Sequence, residues 1–177
     1  MIMKFVKRSC LVSVCIMVGG AQAATDVDLS TPGNTLSALW NAISHQPGEV
    51  SDLSALQQIL HPTARIMGVS NEDGKAVVSV SGKQDFIESL KDPREKGFFE
   101  CEVWRDLDQY ERMAAAYSVV ESRYAQEQVA ADFTGVNSIQ LFKQDDNWQV
   151  LSVYFELETP DTELTTLGPK HKHCLNQ

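Results

Sequence analysis

Residues 135–156 constrain this chain most. Two runs rich in β-branched, aromatic and aliphatic residues flank the polar stretch Gln144-Asp145-Asp146-Asn147. Such a pattern predicts a β-hairpin closed by a four-residue loop. A hairpin of this length needs further strands and a covering layer, because every second side chain on one face is apolar. An all-helical fold is therefore excluded.

Upstream the pattern changes period. Thr31-Pro32-Gly33-Asn34 is a turn cluster, and Asn34 is placed to cap a helix starting at Thr35. Leu36, Leu39, Trp40 and Ile43 follow at i, i+3, i+4 and i+7, one face of a helix that His45-Gln46-Pro47-Gly48 stops. A second helix starts near Ser51 or Asp52, with Leu53, Leu56, Ile59 and Leu60 on one face, and ends at Pro62. A short strand then runs through Val69, and a brief one is predicted over 76–80. A third helix, over 83–91, buries Phe86, Ile87 and Leu90.

Strand patterns take over from residue 98. Phe99, Cys101 and Val103 alternate with Glu100, Glu102 and Trp104. Over 113–125, Met113, Ala115, Tyr117, Val119, Glu121 and Arg123 fall on one face; Ala114, Ala116, Ser118, Val120, Ser122 and Tyr124 fall on the other. No histidine is expected on the sheet. The fold class is α+β: about three N-terminal helices packed on a curved, mostly antiparallel sheet.

The two ends read differently from the middle. Lys4, Lys7 and Arg8 precede an apolar run of about ten residues, and Ala21-Gln22-Ala23 supplies small residues for cleavage. Residues 1–23 are expected to be a secretory signal peptide, which leaves a domain over 24–158 and a flexible tail over 159–177. The export implied is to the periplasm or beyond. Acidic residues number 24 against 15 Lys and Arg, three of which lie in the leader. That balance argues against nucleic acid and anionic membrane surfaces as partners once the leader is gone. Cys101 and Cys174 remain in the mature chain, bound for an oxidising compartment. They either pair, tying the tail to the sheet, or Cys101 is a buried thiol packed with Phe99 and Val103.

The order of helices, then His61-Pro62-Thr63-Ala64-Arg65-Ile66, then Asp85-Phe86, then the closing runs 135–141 and 148–152, resembles the nuclear transport factor 2-like (NTF2-like) superfamily, also called the SnoaL-like or cystatin-like cone. The resemblance spans about residues 34–158. It implies a cup with an internal pocket and, commonly, a homodimer formed through the outer sheet face; Ser118, Val120 and Tyr124 are mixed enough in character to meet a copy of themselves. Catalytic members of the superfamily work inside the cup, but their residue sets do not carry over: Arg105, Glu121 and Arg123 depart from the Asp-Arg-Asp relay of the limonene-epoxide hydrolases. The fold hosts many unrelated activities.

The residues themselves suggest candidates. His61, at the end of the second helix, suits general-base work, or else the helix's terminal carbonyls. Glu121 and Arg123 share a strand face and form either a pocket pair or an ordinary surface pair. Trp40, Trp104, Tyr117, Gln140 and Tyr154 suit a wall for an apolar or aromatic ligand, or an ordinary core. Ser138 and Gln140 make a polar stripe. His171, His173 and Cys174 form a short cluster in the tail with no metal assigned to it. No phosphate loop, dinucleotide fingerprint or zinc-protease motif is present, and no cofactor is expected. The reading is an exported pocket protein for a small, largely apolar ligand or a partner; the alternative is a lyase, isomerase or hydrolase acting on a hydrophobic substrate, with His61 or Glu121 as base.

Overall fold

Thr31, not Asn34, opens the first helix. In the computed structural model, which describes residues 27–159, 164, 171 and 173–176, the Thr31 hydroxyl accepts from the Asn34 amide at 3.1 Å and α1 runs Pro32–Ile43. Proline at the first helical position costs nothing, because its missing N–H would have had no partner there. Leu36, Leu39, Trp40 and Ala42 are buried along the inner stripe. Each fully buried leucine contributes roughly 1.5–3 kcal/mol. The Asp52 carboxylate caps α2 (Leu53–Ile59) by accepting from the Ala55 amide at 2.9 Å. The third helix, α3 (Lys83–Glu88), lies between strands and starts at Gly82 without a side-chain cap.

Among the described residues six strands form one sheet: β1 (Leu60–Glu72), β2 (Lys75–Gly82), β3 (Phe99–Tyr110), β4 (Met113–Arg123), β5 (Phe133–Gln144) and β6 (Asn147–Leu157). Their order is β2-β1-β6-β5-β4-β3, antiparallel throughout except for β1 beside β6. The first strand begins at Leu60 and carries both His61 and Pro62, so a histidine does lie on the sheet. Proline is accommodated because the β1–β6 register breaks between Leu60 and Arg65, where no ladder bond is required of it. The β5–β6 hairpin closes tighter than its polar tetrad suggests. Gln144 pairs with Asn147, leaving a two-residue turn in which Asp145 takes a φ of 55°. Glu111 (φ 47°) and Asp73-Gly74 (φ 51° and 78°) serve the other two tight hairpins in the same way.

A bulge at Val103 sets the faces of β3. Glu102 pairs with Val120 and Trp104 with Val119, so Val103 is the extra residue and Trp104 leaves the face that holds Glu100 and Glu102. The inner face carries Ala114, Ala116, Val120, Ile139, Leu141, Trp148, Val150 and Val153, and packs on α1 and α2 as one core. Ser118 and Val120 are buried on this inner face, which removes them from the outer surface expected to meet a second copy. Val103, Trp104 and Val119 form a separate small cluster on the other side, with Cys101 and Leu164 against it.

The C-terminal end is fastened to the edge of β3. Cys101 and Cys174 form a disulfide. Beyond that bond, His171 donates its amide to the Val103 carbonyl at 2.6 Å and Leu175 to that of Glu102 at 2.8 Å. Buried Asn176 donates to the carbonyl of Glu100 at 2.9 Å and accepts from the amide of Glu102 at 3.1 Å. The end thus has anchors besides Cys174. The predicted signal peptide lies outside the described residues.

Candidate functional site

Between the inner sheet face and the helices the core does not close. A cavity of about 410 Å³ is left there. Its wall is mostly apolar: Leu39, Trp40 and Ile43 from α1, Phe86 from α3, Phe98 before β3, Phe133 on β5, and Val153 and Phe155 on β6. Its size and character suit a small organic molecule.

Among the described residues, one carboxyl lines this wall. Glu100 sits on β3, opposite Ser122 on β4, and its Oε2 accepts the Ser122 hydroxyl at 3.1 Å. Its backbone is clamped on both sides. The Glu100 amide donates to the Ser44 hydroxyl at 2.9 Å, and that hydroxyl in turn donates to the Trp40 carbonyl at 2.8 Å. The C-terminal turn of α1 and the start of β3 are thereby joined at one end of the cavity. His45 and Phe98 exchange both backbone bonds beside them, at 2.7 and 2.9 Å.

Burial pushes the Glu100 carboxyl up from 4.5 to about 7; the Ser122 hydroxyl opposes this by favouring the ionised form. Glu100 keeps some exposed surface because it borders the hollow, yet protein surrounds it deeply enough for desolvation to dominate. A carboxyl poised near neutrality in an apolar cleft can give or take a proton, or hold a ligand's polar end. The other polar residues on the wall are Ser51, Ser89, His45, Arg94 and Asn137. The Ser51 hydroxyl is spent on the Ile43 carbonyl at 2.8 Å, and His45 Nδ1 lies 3.0 Å from the Gln46 carbonyl. The indole nitrogen of Trp40 is buried without a hydrogen-bond partner among the described residues.

The sequence candidates scatter around this site. Trp40 lines the cavity. His61 lies on β1 away from it, with Nδ1 2.8 Å from the Thr63 hydroxyl and its ring edge-on to Phe142. Glu121 and Arg123 pair at 2.6 Å on the outer face, where Arg123 borders a second, more polar hollow beneath the C-terminal end. Trp104 is buried in the outer cluster, edge-on to Tyr117 at 6.1 Å. Tyr117, Gln140 and Tyr154 are exposed on the outer face; Gln140 accepts from Ser152 at 3.2 Å. Arg105 serves Glu102, the Gly33 carbonyl and Ser37 instead of the cavity. Cys174, being in the disulfide, offers no thiolate to the tail histidines. Glu100 was missed because alternation alone does not say which face of β3 is concave, and the strand also carries Glu102, Arg105, Asp106 and Asp108, so no single carboxyl stands out in it.

No model of a known protein family matches the chain, and no curated protein matches its sequence. Among solved structures it is similar to a protein from Novosphingobium aromaticivorans provisionally named an aromatic ring hydroxylase, at 13% identity and a TM-score of 0.50, covering 72% of this chain and 86% of that one. An NTF2-like protein of unknown function from Shewanella baltica aligns at 14% identity and a TM-score of 0.49, covering 71% and 91%. Another, from Silicibacter pomeroyi, aligns at 15% and 0.48, covering 70% and 90%. At this identity the likeness is one of fold alone.

Proposed function

We propose that this is an exported cone protein that holds a small, largely apolar molecule in the cavity between α1, α3 and the inner sheet face. The observation that carries the reading is that cavity: about 410 Å³, walled by aliphatic and aromatic side chains, with Glu100 among its few polar groups. The Cys101–Cys174 bond supports export, since such bonds persist in oxidising compartments. Native mass spectrometry of protein purified from its own compartment tests the reading. A small molecule should travel with it, and the neutral dye N-phenyl-1-naphthylamine should enter the emptied cavity. If no mass co-purifies and no dye binds, the reading fails.

A second reading is favoured by Glu100 alone. Were the cup to host lyase, isomerase or hydrolase chemistry on a hydrophobic substrate, the proton acceptor would be Glu100, because His61 and Glu121 lie outside the cavity. Its test is whether Glu100→Gln abolishes turnover of a substrate found by the co-purification experiment.

We also propose a homodimer through the outer face. The strand register sets Val80, Met67, Tyr154, Ser138 and Tyr117 in one row across four adjoining strand pairs. Val80, Tyr154 and Tyr117 in that row are exposed. A sedimentation mass of one chain at micromolar concentration counts against pairing.

A further inference from the structure

Three of the described glutamates are held in ion pairs. Glu102 is paired with Arg105, Glu121 with Arg123 and Glu88 with Lys91. Glu100, on the cavity wall, has no ion pair among the described residues; its carboxyl has the Ser122 hydroxyl. Five aromatic residues share that wall: Trp40, Phe86, Phe98, Phe133 and Phe155. An ionised carboxylate without a cation is costly in such a place. The face of an aromatic ring is the negative end of its quadrupole and attracts cations. A single kind of guest answers both features.

We propose that the cavity takes a small organic cation, a hydrophobic amine or quaternary ammonium, whose charged head pairs with Glu100 and whose apolar body lies on the aromatic wall. This rests on the reading of the cavity as a ligand site. The chain's net charge of −9 adds a long-range attraction for cations. The positive groups near Glu100 do not fill the role. His45, just after α1, and Arg94, in the loop before β3, line the same wall without forming an ion pair with it. On its other flank Glu100 borders the polar hollow that holds Arg123 and His173, and Arg123 is engaged by Glu121.

The pH dependence has a definite sign. A cation prefers the carboxylate, so its affinity rises as pH rises through about 7, and binding releases a proton. A neutral guest that accepts a hydrogen bond from the protonated acid shows the reverse.

Calorimetric titration of the oxidised protein with benzyltrimethylammonium, and with its uncharged isostere neopentylbenzene, tests the proposal. A charge-assisted contact plus ring stacking predicts that the cation binds roughly tenfold or more tightly than the isostere at about pH 8. That advantage should shrink at about pH 5.5, where the acid is protonated. Glu100→Gln should remove the advantage while the isostere still binds, with an unchanged circular dichroism spectrum confirming the fold. Equal binding of the two probes, or a preference that survives Glu100→Gln, overturns the cation and leaves an apolar pocket standing. If neither probe binds while N-phenyl-1-naphthylamine does, the result is the same. If the dye also fails, the pocket falls with the cation.

Discussion

The Ser122 hydroxyl reaches Glu100 Oε2 across 3.1 Å, within the register pair that joins β4 to β3. That single hydrogen bond does not offset the desolvation of the carboxyl, which stays near 7 against 4.5 when unfolded. The folded protein therefore keeps a proton that the unfolded chain gives up between those values. Stability falls as pH rises across this window and levels off above it. A shift of this size is worth up to about 3 kcal/mol. Glu100→Gln should match the wild type in urea at about pH 4.5 and exceed it by up to that amount at about pH 8. An unchanged pH dependence in the variant would show that another group is responsible.

Gly68 predicts a link between β1 and the cavity. A Cβ there would lie 2.6 Å from the tip of the Phe155 ring, and Phe155 is part of the cavity wall. Gly68→Ala must displace the ring, and the open side available to it is the cavity. Overpacking of this kind costs about 1–3 kcal/mol. The variant should melt lower and bind N-phenyl-1-naphthylamine more weakly. A melt unchanged from wild type would mean that the ring yields elsewhere at no cost.

The same residues show what the sequence could and could not convey. Alternation over β4 assigned Ser118, Val120 and Ser122 to one face, and they do share one. Which face was concave depended on sheet curvature, a property of six strands together. Trp104 was placed with Glu100 because a bulge at Val103 is invisible to a period-two reading. Thr31 and Pro32 fit a turn by residue type, yet both belong to a helix start, where the same residue types are equally at home. His61 and the Glu121–Arg123 pair drew notice as chemical types. Glu100 matters by position, since it is the carboxyl that borders the cavity without an ion pair.

The disulfide predicts the behaviour of the C-terminal end. It joins positions 73 residues apart, and in the chain-entropy account closing such a loop is worth about 4 kcal/mol. Cys174→Ser should lose stability of that order, and dithiothreitol should bring the wild type down to the variant's level. Asn176 would then be less firmly held against the Glu100 carbonyl and the Glu102 amide. Faster hydrogen exchange at the Glu102 amide in the variant is the local signature. A wild type whose stability is insensitive to reductant would contradict it.

Arg105 and Glu102 form the other buried acid's environment, and they predict a purely structural penalty. Glu102 is fully buried on β3, bonded by the Arg105 guanidinium and by the Ser118 hydroxyl at 2.6 Å. Arg105 also donates to the Gly33 carbonyl at 3.1 Å, so the pair ties β3 to the first turn of α1. Removing the arginine leaves a carboxylate with no cation in a place water does not reach. Breaking a buried pair from one side typically costs about 3–5 kcal/mol. Arg105→Ala should lose that much in chemical denaturation. Adding Glu102→Gln should recover a large part of it, because the stranded charge, more than the lost contact, sets the cost. Neither change touches the cavity wall, so dye binding measured on the folded fraction should stay at the wild-type level. If the double variant is no more stable than Arg105→Ala, the penalty comes from the lost tie to α1 rather than from the isolated charge.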